Sequence, residues 1–433
     1  MRLFEKIYIE SVTRKIVTAV NRKSSGRDVY LLGANEYILG LAKHLSNHGV
    51  YVYGVLDINA HLYDDNWFGM KMMSLSDYSG ENGYLIVDGT IKDIPFIKEL
   101  LYKLKINEYY ICERGHVIAF LSKFDHINGI RKGWVVYTKL RKDYQNSLFL
   151  ICPYPGTGDA YLTGMYLQKY IDKNGYKDYV IIVPGKSFYN ILSLFGVDTS
   201  KILVIAAKDI NNLKNWIAYK GEHCLNLHYL MYWGLPYQTV AIFEGYKGLS
   251  FPEIFKTCTF GLPKDTEPSM IQQKISRAEA ERKVESLGLI IGKTIVVAPY
   301  ANSFVEELDI EWWEKLVTAL QNRGFCVVTN CSGDEKPIAN TLAVAFSYGE
   351  IIQMMNVCGY FIGVRSGLCD IISSSSCKKI IIYQNFITRR RMEFFSLFHL
   401  NPDQDLVELK YKGGSTGEQY LFNAILNGGY FDS

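Results

Sequence analysis

The sequence predicts an α/β chain of three doubly wound units, each a parallel sheet faced by helices. Three observations carry this. Short apolar, strand-like runs alternate with amphipathic helical stretches from Asp28 almost to the end. The 433 residues are more than one ordinary core organises. Glycine-containing turns recur where a strand gives way to a helix.

In the first unit, "DVYLLGA" reads as a strand leading into the helical "NEYILGLAKHLSNHG". The strands "VYVYGVLDIN" and "NGYLIVDGT", the helical "IKDIPFIKELLYKLK" and the strand "NEYYICER" follow. The unit is complete by about Phe124, and "KFDHINGIRKGW" reads as a connection. A second set has strands at "LFLIC", "YVIIVPG", "KILVIAA" and "HCLNLHYL", with helical stretches between the first three. The polar run "GLPKDTEPSMIQQ" reads as a linker. The third set runs through "KTIVVAPY", the helix "EWWEKLVTALQNRG", "FCVVTN", "IIQMMNVCG", "YFIGVRSG" and "KKIIIYQ". The expected domains are therefore 1–145, 146–272 and 273–433.

Composition narrows the functions. Hydrophobic residues make up 48% and charged residues 21%, which excludes wholesale disorder. A net charge of +3, from 47 basic and 44 acidic residues, speaks against a nucleic-acid coat. Aromatics at 14% supply large buried surfaces and rings that can stack on sugars or bases. Nine cysteines without a CxxC pair or zinc-ligand spacing fit reduced thiols in the cytoplasm. The charged start "MRLFEKIYIESVTRK" is no secretion signal, and no apolar run reaches the roughly 18 residues of a spanning helix. The expectation is a cytoplasmic protein, at most peripheral at the inner face of the membrane.

The turn "LLGANEYILG" stands where a dinucleotide fingerprint would stand, with Asp57 closing the next strand. Asn35 and Ile38 occupy the second and third glycine places, which impairs both close approach to a pyrophosphate and tight helix packing. This unit resembles the small Rossmann module often attached to bacterial sugar-processing enzymes and methyltransferases. A scaffold or ligand-sensing role is the expectation. An NAD-dependent oxidoreductase centred here is the lesser alternative.

The stretch "FLICPYPGTGDAYLTGMYL" carries more chemistry. Gly156 and Gly158 let the backbone pass close to a sugar, with Thr157 between them. Asp159, at a helix start, can accept the proton of an attacking hydroxyl. The plainer reading is a helix cap. This turn, with Leu162 and Thr163 after it, resembles the opening loop of the heptosyltransferase family, glycosyltransferases of the two-domain GT-B fold.

"YFIGVRSGLCDIISSSSCKKIIIY" resembles the family segment in which a strand ends at Asp-Ser/Thr-Gly and a His follows the helix start. Ser366 and Gly367 match, while Arg365 replaces the Asp and Asp370 the His. Amides at such a start form a diphosphate seat, and a guanidinium can pair with two phosphate oxygens. "VVAPYANS" resembles the family's Pro-Gly-Ala-Ser-like loop, placing Asn302 and Ser303 on donor phosphates, with Glu306 and Glu307 where the family has a lysine. "SYGEIIQMMNVCGYF" matches the Leu-Gly-Glu-like turn, placing Glu350 near the nucleotide. A dipole-favoured first-turn acid is the equal alternative. Arg389–Arg391 read as a solvated face or an anion contact. His228, among aromatics, reads as an acceptor-side rim residue.

The resemblance covers roughly residues 147–400. It implies a GT-B-type pair of Rossmann-like domains preceded by a third, small one. It implies sugar transfer from a nucleotide-sugar donor to a saccharide or lipid-linked saccharide, in one inverting displacement with Asp159 as base. No metal and no other cofactor is required. The context is bacterial surface polysaccharide or glycoconjugate synthesis, with room for peripheral membrane contact and a homo-oligomer. A non-catalytic nucleotide-sugar binder or scaffold stays open beside it.

Overall fold

The computed structural model describes residues 13–20, 27–33, 36–57, 60, 65–74, 77–78, 83–89, 98, 101–102, 106–113, 127–220, 225–230, 250–263, 265–301, 308–385, 387 and 389–431. The first elements are β1 (Asp28–Leu32), α1 (Glu36–Asn47), β2 (Val52–Asp57), β3 (Asn66–Trp67), β4 (Met70–Ser74), β5 (Gly83–Gly89), β6 (Tyr109–Glu113) and α2 (Ile127–Asp143). Next come β7 (Leu148–Ile151), α3 (Thr157–Asn174), β8 (Tyr179–Val183), α4 (Lys186–Leu192), β9 (Ile202–Val204), α5 (Ala207–Lys220), β10 (Leu227–Tyr229) and α6 (Phe251–Ile254). Then follow α7 (Arg277–Ser286), β11 (Thr294–Ala298), α8 (Ile310–Asn322), β12 (Cys326–Asn330), β13 (Leu342–Val344) and α9 (Ile351–Cys358). The last are β14 (Gly359–Val364), α10 (Gly367–Ile372), β15 (Lys378–Tyr383), α11 (Arg389–Phe394), β16 (Leu406–Lys410) and α12 (Gly414–Asn427). The chain is α/β with parallel sheets, as its alternating pattern predicts.

Two compact units emerge: 1–151 with 208–254, and 152–207 with 255–433. The stretch expected as a middle domain contributes to both.

In the first unit, six strands run in the order β3-β4-β2-β1-β5-β6, parallel except for the β3–β4 hairpin. The apolar stripe of α1 buries Ile38, Leu41 and Leu45 against Val29, Leu31 and Val55. Ile38 thus fills core where a dinucleotide fold would need a glycine. Asn35 lies outside the described residues. β7 and β10 pair in parallel.

One expectation fails here. Part of the segment read as a connection, residues 127–134, is the front of α2. Gly129 and Gly133 weaken its helical signal by about 1 kcal/mol each. Packing overrides that cost, because one turn apart they let α5 lie unusually close. A Cβ on Gly133 would overlap the Asn212 carbonyl oxygen, and one on Gly129 would sit 2.6 Å from the Asn215 amide nitrogen.

In the second unit, β8 and β9 pair in parallel. A six-stranded, all-parallel sheet has the order β13-β12-β11-β14-β15-β16. Its central strands are buried along their length, which is why "TIVVA" and "YFIGV" read as unbroken apolar runs. Trp312, Trp313, Leu316 and Leu320 of α8 and Leu421 and Ile425 of α12 pack on them. Gly359, at φ 100°, turns the chain from α9 into β14 in a conformation that penalises any side chain. Lys379 is wholly buried, and its ammonium donates to the carbonyls of Ser375 (2.7 Å) and Cys377 (2.8 Å). Among the described residues, no helix is long and apolar enough to cross a membrane.

Candidate functional site

The site is built on two helix starts within the second unit. Gly156 is the N-cap of α3 in extended conformation (φ −75°, ψ 143°), without a side-chain cap. Thr157, Gly158 and Asp159 make the first turn. Asp159 is therefore not the capping residue. It is half-buried in the first turn, where the helix dipole favours a carboxylate. Its Oδ2 lies 2.5 Å from where a Cβ on Gly156 would stand, so a side chain at Gly156 would push the carboxylate aside.

The second start follows β14. Arg365 continues the ladder through its amide, which donates to the Ile382 carbonyl at 2.9 Å. Ser366 is extended and caps α10 without a side-chain bond to the helix backbone; its hydroxyl meets Cys369 Sγ at 3.7 Å. The order of the sheet reverses between β11 and β14, and ligands in open parallel sheets bind outside the strand ends at such a point.

The Arg365 side chain is buried and largely committed. Nη1 donates to Asp370 Oδ2 (3.0 Å) and the Ser366 carbonyl (2.7 Å), Nη2 to Asp370 Oδ1 (2.6 Å), and Nε to the Phe395 carbonyl (3.2 Å). Burial opposes the charge on Arg365, yet the Asp370 carboxylate more than offsets it and raises the pKa above the ordinary value. Asp370 is also buried; burial raises its pKa, against the pull of Arg365. The pair is a bidentate bridge that ties the strand end to the helix start.

The two starts meet. A Cβ on Gly158 would overlap Asp370 Oδ2 and stand 3.3 Å from Gly367 Cα. A Cβ on Gly367 would overlap Thr157 Oγ1 and the Gly158 amide. Both glycines are thus demanded by close approach of α3 to α10. Tyr161, on the next turn of α3, lies near Ser373 just past α10, and burial raises its pKa. Thr157, Asp159, Ser366 and Gly367 keep partial exposure beside this contact.

Of the remaining expected residues, Glu350 and His228 are described. The Glu350 carboxylate accepts from Lys283 Nζ at 2.9 Å and from the Ser347 hydroxyl at 2.8 Å. Burial raises its pKa, but the bonds from Lys283 and Ser347 outweigh this and hold it below the ordinary 4.5. His228 lies half-buried on β10 in the first unit, in register with Leu150. Asn302 and Ser303 lie outside the described residues, as do the side chains of Arg389–Arg391. Lys283, Tyr161 and Ser373 were not singled out in the sequence. The Ser-x-x-Glu spacing of Ser347 and Glu350 was legible as a capping pair, whereas Lys283 is too distant in the chain to signal itself.

No protein-family model matches the sequence, and no curated protein matches it. Among solved structures, the chain is similar to the glycosyl transferase family 9 protein of Veillonella parvula. The identity is 12% and the TM-score 0.41, over 66% of this chain and 92% of that one. It is similar to E. coli heptosyltransferase WaaC with ADP at 12% identity and TM-score 0.40, over 65% and 98%. It is also similar to E. coli ADP-heptose lps heptosyltransferase II at 12% identity and TM-score 0.32, over 92% and 97%.

Proposed function

We propose that the protein is a GT-B-type glycosyltransferase that moves a sugar from a nucleotide-sugar donor to an acceptor hydroxyl. One observation carries this reading. Two turns far apart in sequence, each singled out for its own chemistry, come together as Thr157 and Gly158 against Gly367 and Asp370. In this reading, residues 146–272 serve the acceptor, 273–433 the donor, and 1–145 is an accessory domain.

The Asp159 carboxylate takes the proton of the acceptor hydroxyl as its oxygen attacks the anomeric carbon. The bond from that carbon to the diphosphate oxygen breaks on the opposite face, so configuration inverts. Charge builds on the leaving diphosphate, where the amides opening α10 and the Ser366 hydroxyl receive it. Arg365 acts at one remove. Its donors are engaged with Asp370 and backbone carbonyls, so it fixes the turn rather than clamping a phosphate. Glu350, held by Lys283 and Ser347, supports the nucleotide side together with Asn302 and Ser303. No metal or further cofactor enters the scheme, and the setting is surface glycoconjugate synthesis at the cytoplasmic face.

The test is Asp159→Asn, assayed with a panel of labelled nucleotide-sugars and, separately, for donor binding by calorimetry. Transfer should fall at least about 100-fold while donor affinity holds, since the group acts on the acceptor proton. Undiminished transfer would remove Asp159 from the mechanism. A second reading, a non-catalytic nucleotide-sugar binder or scaffold, is favoured by the Arg365–Asp370 pair standing where the resembled family has other residues. Donor binding by the parent protein with no transfer to any acceptor would select it.

A further inference from the structure

We propose that α2 is a docking surface for an anionic lipid membrane. The helix has two faces of opposite character. Gly129, Gly133 and Leu140 turn toward the protein, where the two glycines bring α2 against α5 and Tyr137 packs on Phe149 and Trp216. The far end is also pinned. The Arg141 guanidinium lies 3.8 Å from the centre of the Phe149 ring and donates to the carbonyls of Ser147 (2.6 Å) and Asn226. The helix is thus held rigidly, by contacts that use one side only.

The other side carries Arg131, Lys132, Trp134, Val135, Thr138, Lys139 and Lys142, all exposed. Trp134 keeps 50% and Val135 54% of their surface in solvent, although both are large and apolar. At helical spacing, Arg131, Val135, Thr138 and Lys142 form one line, with Trp134 and Lys139 on either flank. The only carboxylate of the helix is Asp143, at its last residue. An apolar pair ringed by four cations is complementary to a surface that is negative outside and apolar beneath.

Two apolar side chains are too few for the dry centre of a stable protein interface. They suffice for a bilayer, where an indole settles at the headgroup level while Lys and Arg stems reach up to the phosphates. Each cation near such a surface strengthens binding about 5-fold. The inference needs no assumption about the reaction, so it stands or falls separately from the transferase reading.

The experiment is co-sedimentation of the full chain with vesicles of phosphatidylcholine alone, and with vesicles of phosphatidylcholine and phosphatidylglycerol in equal parts. The parent protein should bind the mixed vesicles only, and less as salt screens the charges. Lys139→Gln and Lys142→Gln should each weaken binding about 5-fold. Lys315→Gln, at an exposed lysine of α8, should leave it unchanged. Trp134→Ser should weaken it several-fold. If that change lowers the unfolding midpoint, Val135→Ser takes its place. Equal binding to both vesicle types, binding to neither, or α2 variants that bind like the parent would overturn the proposal. So would light scattering that shows a dimer abolished by Trp134→Ser, because the face would then belong to a second copy.

Discussion

The β4-β2-β1-β5-β6 portion of the first unit's sheet and the β13-β12-β11-β14-β15 portion of the second's follow the same parallel order. In both, the first strand is central and the chain winds outward on either side. They differ in what lies beneath the strand ends. Among the described residues of the first sheet and its helix, Asp57 is the buried charged group. The second buries Arg365, Asp370 and Lys379. Buried charge is costly unless paired, and a paired charge constrains geometry more than it adds stability. The comparison teaches that topology alone does not make a site. The sheet that commits Arg365 and Asp370 to holding one turn is the one on which the proposed site falls.

The strongest way to break this contrast is to cut the ion pair. Arg365→Met should destabilise the protein by about 3–5 kcal/mol, because it leaves Asp370 buried and alone. Urea unfolding measures this, and the double change Arg365→Met/Asp370→Leu should recover most of it. A smaller effect should come from crowding the helix contact. Gly158→Ala must displace Asp370 or the start of α10, at about 1–3 kcal/mol. Gly185→Ala, with open space around it and extended backbone, should stay within about 0.5 kcal/mol on the same curves.

The smallest effect belongs to Lys283–Glu350, a part-exposed bridge worth up to about 1 kcal/mol. Glu350 holds its pKa below 4.5, so the folded state keeps the carboxylate charged where the unfolded chain begins to protonate it. The contribution is complete above that value and is lost as pH falls through the lower, folded pKa. The difference in unfolding midpoint between the parent and Lys283→Met should therefore shrink on acidification. A difference that grew would reverse the sign and sink the assignment.

The alternation of apolar runs and helical stretches made the parallel sheets legible, and the glycine turns made α3 and α10 legible as places to look. β3 and β13 were missed because two or three residues are too few to show a period, and the five-residue β4 and β16 were not read either. α2 was partly missed because its glycines serve a neighbouring helix, which no local propensity records. At the site, sequence distinguished Gly158 and Gly367 but not the reason for them. Their glycine identity is fixed by a partner helix distant in the chain. The Arg365–Asp370 pairing was hidden for a related reason: five residues apart across a strand-to-helix turn, the two follow no regular spacing. Arg365 was accordingly read as a partner for phosphate oxygens.

The buried Lys379 ammonium offers a clock. With its nitrogen between the Ser375 and Cys377 carbonyls, an acylating reagent reaches it only in molecules whose C-terminal sheet has opened. Following acylation of that one lysine by peptide mass spectrometry would time the opening directly. A bound donor that tightens this unit would make the clock run slow.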